Sequence, residues 1–141
     1  MIRNIIFDWS GTLVDDLSAV WRSTNFTLEN VGRPAMSLKQ FRAEFSLPFE
    51  EFYERVTPGI PLEELEEWYK ESFTEEQKQI KALPHALDFF DFCKSQQVRT
   101  FLLSTIHPDH YRTQSRRIHF DFDRTYLRAM DKRNKIHDVI S

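Results

Sequence analysis

An aspartate at position 8 closes the apolar run Ile5-Ile6-Phe7, and Trp9-Ser10-Gly11-Thr12 follows at once. The compact apolar stretch Ile2–Phe7, with its β-branched members and a turn signal behind it, reads as a buried strand. Asp8 then stands at the carboxyl end of that strand, where open parallel α/β sheets bind their ligands. Gly11 permits close backbone approach, and the amides of a tight turn can receive anionic oxygens. A carboxylate beside an anion site is a contradiction unless a cation neutralises both. Mg²⁺, held by one or two carboxylates together with phosphate oxygens, resolves it. An aspartate so placed could attack phosphorus and carry an aspartyl-phosphate. On these residues alone, an aspartate that merely caps a turn remains the alternative.

The elements around it must supply the partners. The stretch 98–104, Val-Arg-Thr-Phe-Leu-Leu-Ser, reads as a second buried strand with Ser104 at its carboxyl end. Between the two lies a helical stretch. Leu17, Val20, Trp21 and Thr24 share helical spacing over 16–31, and Gly32 is the stop. Ser37 with Gln40 forms a capping-box pattern for a second helix carrying Leu38, Phe41 and Phe45. A short helix fits between Pro48 and Pro58, and Leu62, Leu65, Tyr69 and Phe73 mark one face of a longer one. Its other face, Glu63, Glu64, Glu66 and Glu67, reads as solvated. After Pro84 the order is helix 86–96, the strand ending at Ser104, helix 107–117, strand 124–127 and helix 132–140. Strands alternating with helices around an all-helical stretch predict an α/β fold, a Rossmann-like parallel sheet interrupted by a helical insertion.

Composition excludes several functions. The chain has 141 residues, 40% of them hydrophobic, with 13 Phe and 3 Trp, which is enough for a core and argues against disorder. A formal charge of −3 gives no general pull toward nucleic acid or an anionic membrane. The single cysteine, Cys93, rules out an internal disulfide and sits in a helical apolar stripe, where it reads as a buried thiol. Neither a signal peptide nor a membrane span is legible, so the expected location is cytoplasmic.

The motif Asp8-Trp-Ser-Gly-Thr-Leu-Val-Asp-Asp16 resembles the first motif of the haloacid dehalogenase superfamily of phosphohydrolases, an Asp-x-Asp-Gly-Thr-Leu after an apolar strand. Phe101-Leu-Leu-Ser-Thr105 is similar to the second motif, and the stretch 131–140 around Lys132 is similar to the third. Their order resembles the subgroup with a helical cap, such as phosphoglycolate phosphatases. The resemblance implies a core of residues 1–14 and 83–141, a cap of 15–82, and a small phosphorylated metabolite as substrate. It also implies Asp8 as nucleophile and Mg²⁺ ligand, and the Ser10 main-chain carbonyl as a second ligand. Ser104 would hydrogen-bond the transferring phosphoryl and Lys132 would neutralise it, with Lys135 as the fallback. Ser10, Gly11, Thr105 and His107 would lie around the substrate. In-line phosphoryl transfer needs this kind of positioning and positive charge.

Two departures qualify that expectation. Ser10 stands where most such phosphatases carry an aspartate that protonates the leaving oxygen, a loss typically worth about 10²–10⁴ in rate. Phosphonoacetaldehyde hydrolases carry a small residue there in a similar motif, and they use a cap lysine as a Schiff base. Lys39, in Gly32–Phe41, would be that lysine, although an exposed helix lysine is the simpler account. The fourth motif, Gly-Asp-x-x-x-Asp after a strand, is not found before Ser141. Asp121-Phe-Asp123 lacks both the strand and the glycine and reads as loop, so the expectation is the first part of a longer hydrolase, or a catalytically silent binding fold. His107 and His110 could share a helix face and hold a metal, but without a further pair they read as a solvated helix start. His107 is the natural stand-in proton donor. Oligomeric state is not legible.

Overall fold

In the computed structural model, which describes residues 1–128, the two apolar runs form adjacent parallel strands. β1 (Asn4–Phe7) pairs with β4 (Arg99–Leu103) in a register that sets Asn4 against Arg99 and Phe7 against Leu102. β5 (Arg124–Tyr126) adds in parallel on the other side of β4, giving the order β1-β4-β5. Alternation along these strands gives the sheet two apolar faces. Phe101 and Leu103 pack with Ile6 and Tyr126 on one face. On the other, the Phe7 ring meets Phe89, Phe90 and Phe122 at centroid distances of 5.8–6.1 Å. Leu102 and Thr100 are fully buried in the central strand.

β1 begins at Asn4 rather than Ile2, whose side chain is 72% exposed. α5 (Ala86–Ser95) buries Ala86, Phe90 and Cys93 of the stripe Ala86, Phe89, Phe90 and Cys93 that its helical spacing predicts, and leaves Phe89 exposed. α6 (Pro108–Ser115) is the predicted helix after Ser104, opened by proline in its first turn, where the missing N–H costs nothing. The region before Pro84 holds three short elements that were not expected. A 3-10 turn, Gln77–Gln79, precedes β3 (Lys81–Ala82), which pairs antiparallel with β2 (Val14–Asp15). Two-residue strands carry too little hydrophobic pattern to be read. The predicted helix 132–140 lies outside the described residues.

Residues Leu17–Glu76 form a separate compact unit, and Met1–Asp16 joins the described residues from Gln77 to Arg128 in the other. The helical unit holds α1 (Leu17–Asn30), α2 (Leu38–Glu44), α3 (Phe49–Val56) and α4 (Leu62–Glu76). Ser37 and Gln40 form the reciprocal capping box at the start of α2. Phe41, Phe52 and Leu65 are all but fully buried, with the Phe45 ring 5.2 Å from that of Phe52. α1 follows expectation only in part. Thr24 of the predicted stripe is buried, but Leu17, Val20 and Trp21 are only partly so, and Ser23 and Thr27 are fully buried instead. The Thr24 and Thr27 hydroxyls return to the carbonyls of Val20 and Ser23, which lets polar residues face inward. Trp21 and Asn25 instead hold the loop before α2 through Met36, whose carbonyl accepts from both side chains.

Candidate functional site

The register places Asp8 one residue beyond β1, level with the end of β4, and Ser104 one residue beyond β4. Two predicted site residues therefore leave neighbouring parallel strands at the same end of the sheet.

The chain after Asp8 winds into a turn organised by one peptide group. The Trp9 carbonyl accepts the N–H groups of Thr12, Leu13 and Val14 at 2.9–3.3 Å, while Gly11 donates to the Val14 carbonyl at 3.1 Å. Gly11 has φ +69°, a conformation that costs other residues strain. Asp8 is half-buried, and its Oδ1 accepts the Trp9 N–H at 2.9 Å. Ser10 and Gly11 are exposed at the tip, and β2 leads from the turn into the pairing with β3. The same turn thus presents the Asp8 carboxylate and the Ser10 main chain, while the N–H groups of Gly11 through Val14 are spent within the turn.

Asp16 enters this neighbourhood without having been expected there. Its carboxyl is buried and its pKa is raised, first by desolvation and further by the nearby Asp15. Hydrogen bonds from the Ser10 hydroxyl and from the backbone of Gly11 act in the opposite direction. The sequence signal was present in the Asp15-Asp16 pair directly before α1, but nothing in it showed which of the two turns inward.

Ser104 is buried; its N–H donates to the Tyr126 carbonyl at 3.0 Å, and its Oγ accepts from Ile106 N–H at 3.1 Å. That fixes the hydroxyl oxygen and leaves its proton as the group's donor. Thr105 is exposed beside it. His107 is the N-cap of α6, and its Nδ1 accepts the Asp109 N–H at 3.1 Å. In this arrangement the neutral ring carries its proton on Nε2. The rings of His107 and His110 are 5.7 Å apart, but no group of three His, Cys, Asp or Glu residues is placed to hold a metal among the described residues. Lys132 and Lys135 lie outside the described residues. Lys39 is exposed on α2. Asp123 sits in a loop as expected, yet it binds Thr100 of β4. No helix among the described residues is long and apolar enough to cross a membrane.

A family model described as haloacid dehalogenase-like hydrolase matches residues 5–120. No curated protein matches the chain. Among solved structures, a haloacid dehalogenase-like family hydrolase from Streptococcus pneumoniae superposes with a TM-score of 0.80 at 20% identity, covering 99% of this chain and 69% of its own. CbbY from Rhodobacter sphaeroides, in complex with phosphate, gives 0.78 at 17% identity, covering 100% and 74%. A protein from Lactobacillus plantarum assigned as a phosphoglycolate phosphatase gives 0.75 at 20% identity, covering 90% and 62%. At these identities the likeness is one of fold.

Proposed function

Because this chain belongs to the haloacid dehalogenase-like hydrolase family, we propose that it serves phosphoryl transfer from a small phosphorylated metabolite to Asp8. The observation that carries this reading is the pairing of Asp8 and Ser104 at the ends of adjacent parallel strands, with the tight turn of Gly11 beside them. The Asp8 carboxylate attacks phosphorus in line, the ester oxygen leaves with a proton, and water then hydrolyses the acyl phosphate to return Asp8 and inorganic phosphate. The Ser104 hydroxyl donates to a phosphoryl oxygen while Ile106 holds its oxygen still. Lys132 supplies a further positive partner.

The donor set suits Mg²⁺. One carboxylate oxygen of Asp8 and the main-chain carbonyl of Ser10 are hard oxygens, and Mg²⁺ keeps waters and phosphate oxygens in its remaining positions. When bound, it supplies charge neutralisation between carboxylate and phosphate. Ser10 cannot act as a carboxylic acid, and His107, on the loop after β4, is the candidate proton donor through Nε2. The helical unit serves as the cap that selects substrate and excludes water.

The test is release of inorganic phosphate from a small phosphate ester by the full chain with Mg²⁺. We expect release that falls at least 10³-fold in Asp8→Asn and about 10²-fold in Ser104→Ala. Release unaffected by Asp8→Asn contradicts the proposal. A catalytically silent member of the family is the second reading, favoured by Ser10, and it predicts Mg²⁺-dependent binding of phosphate without release.

A further inference from the structure

Trp9, the residue between Asp8 and Ser10, is completely buried, and so are the two glutamines its indole leads to. Trp9 Nε1–H donates to Gln114 Oε1 at 2.8 Å, and Gln114 Nε2 donates to Gln77 Oε1 at 3.2 Å. Gln114 and Gln77 are 1% and 2% exposed, so each contact is made away from water, where an orphaned donor is costly. We propose that Gln114 is a positioning residue for the Asp8 turn, acting through the Trp9 indole.

Three observations support this. First, the Trp9 carbonyl accepts three N–H groups of the turn, so the orientation of Trp9 sets that of Gly11 through Val14. Second, Gln114 sits on α6, whose cap is His107, and Tyr111 on the same helix meets the Trp9 ring edge-on at 4.9 Å. α6 therefore ties the loop after β4 to the turn after β1. Third, Gln77 is itself anchored. Arg117 donates to the carbonyls of Gln77 and Ile80 at 3.4 Å, and β3, just beyond, pairs with β2 at the far end of the turn. The turn is held at its start by indole and amides and at its end by a strand pair. Side-chain order in the chain of three is fixed, because the indole N–H can only donate and so demands the carbonyl end of Gln114. This proposal rests on the reading of Asp8 as the phosphoryl acceptor, since a displacement of about 1 Å there can cost about 10²-fold.

The test uses the full chain and two probes, Mg²⁺ alone and inorganic phosphate with Mg²⁺, titrated by calorimetry. Gln114→Met keeps length and removes both polar contacts; Trp9→Phe removes the donor. We expect each to weaken phosphate binding about 10-fold and the double variant to weaken it no further, as for two residues acting as one unit. With Trp21 and Trp68 replaced by Phe, Gln114→Met should also shift the emission of Trp9. Parent-like phosphate affinity in a folded Gln114→Met variant overturns the positioning role alone. Additive losses in the double variant overturn it as well. Should Gln114→Met not fold, parent-like affinity in Trp9→Phe overturns it. A parent chain that binds neither probe overturns the reading of Asp8, and this role with it.

Discussion

Asp123 accepts the backbone N–H of Thr100 on its Oδ2 at 2.6 Å and returns its own N–H to the Thr100 carbonyl at 2.9 Å. A loop aspartate thereby closes the start of the β4–β5 pair, with Lys94 Nζ 3.8 Å from the same oxygen. The Thr100 N–H, with Lys94 contributing less, holds the Asp123 carboxyl below its ordinary pKa against the cost of desolvation.

The pH dependence follows from that direction. A carboxylate with a depressed folded pKa adds stability that is present above the unfolded pKa of about 3.9 and is lost as pH falls through the folded one. The side chain is 43% exposed, so a charge-assisted bond is worth about 1 kcal/mol here after solvent screening. Asp123→Asn should lower stability by about that amount at pH 7, and the difference should shrink in urea melts as pH falls below the unfolded pKa. Equal stability of the two proteins at pH 7 contradicts the role.

Gly11→Ala should destabilise by about 1–2 kcal/mol, because φ is +69° and an alanine pays the left-handed penalty. A Cβ there meets nothing within 4 Å, so the cost is backbone strain and not a clash. Gly11→Asn, which tolerates that region, should recover part of it. Thermal melts of the two variants compared with the parent check this.

Phe52→Ala should cost about 3–5 kcal/mol of the helical unit's stability, since the ring is fully buried among Phe41, Phe45 and Tyr53. Chemical denaturation followed by the emission of Trp21 and Trp68 reads it. A loss below about 1 kcal/mol would mean that the aromatic cluster is not the unit's core.

Incubation with a small phosphonate-bearing aldehyde and borohydride should modify Lys39 no more than the other exposed lysines, as its exposed position on α2 implies. A stoichiometric adduct selective for Lys39, found by peptide mass, would move the reading from phosphate esters to carbon–phosphorus cleavage.

The strands that carry Asp8 and Ser104 were legible because apolar runs of four or more residues with turn signals leave few alternatives. The Ser37–Gln40 box was legible because capping is local chemistry. Other features escaped for physical reasons. The β2–β3 pair is two residues long, and its partners are brought together only by the fold. The Trp9–Gln114 and Gln114–Gln77 bonds span 105 and 37 residues, and no local pattern encodes such a meeting. Asp16 beside Ser10 depended on how the turn winds, which the positive φ of Gly11 decides. The inward face of α1 was only partly legible: Thr24 was in the predicted stripe and is buried, whereas Thr27 satisfies its hydroxyl within the helix and so behaves as a small core residue.

The central claim is that Asp8 accepts a phosphoryl group. The full chain, mixed with Mg²⁺ and a small phosphate ester and quenched in acid, should yield one phosphoryl group on the peptide containing Asp8. The label should be absent in Asp8→Asn and without Mg²⁺. Phosphate release that proceeds with no label on Asp8, or that survives Asp8→Asn, would contradict the account.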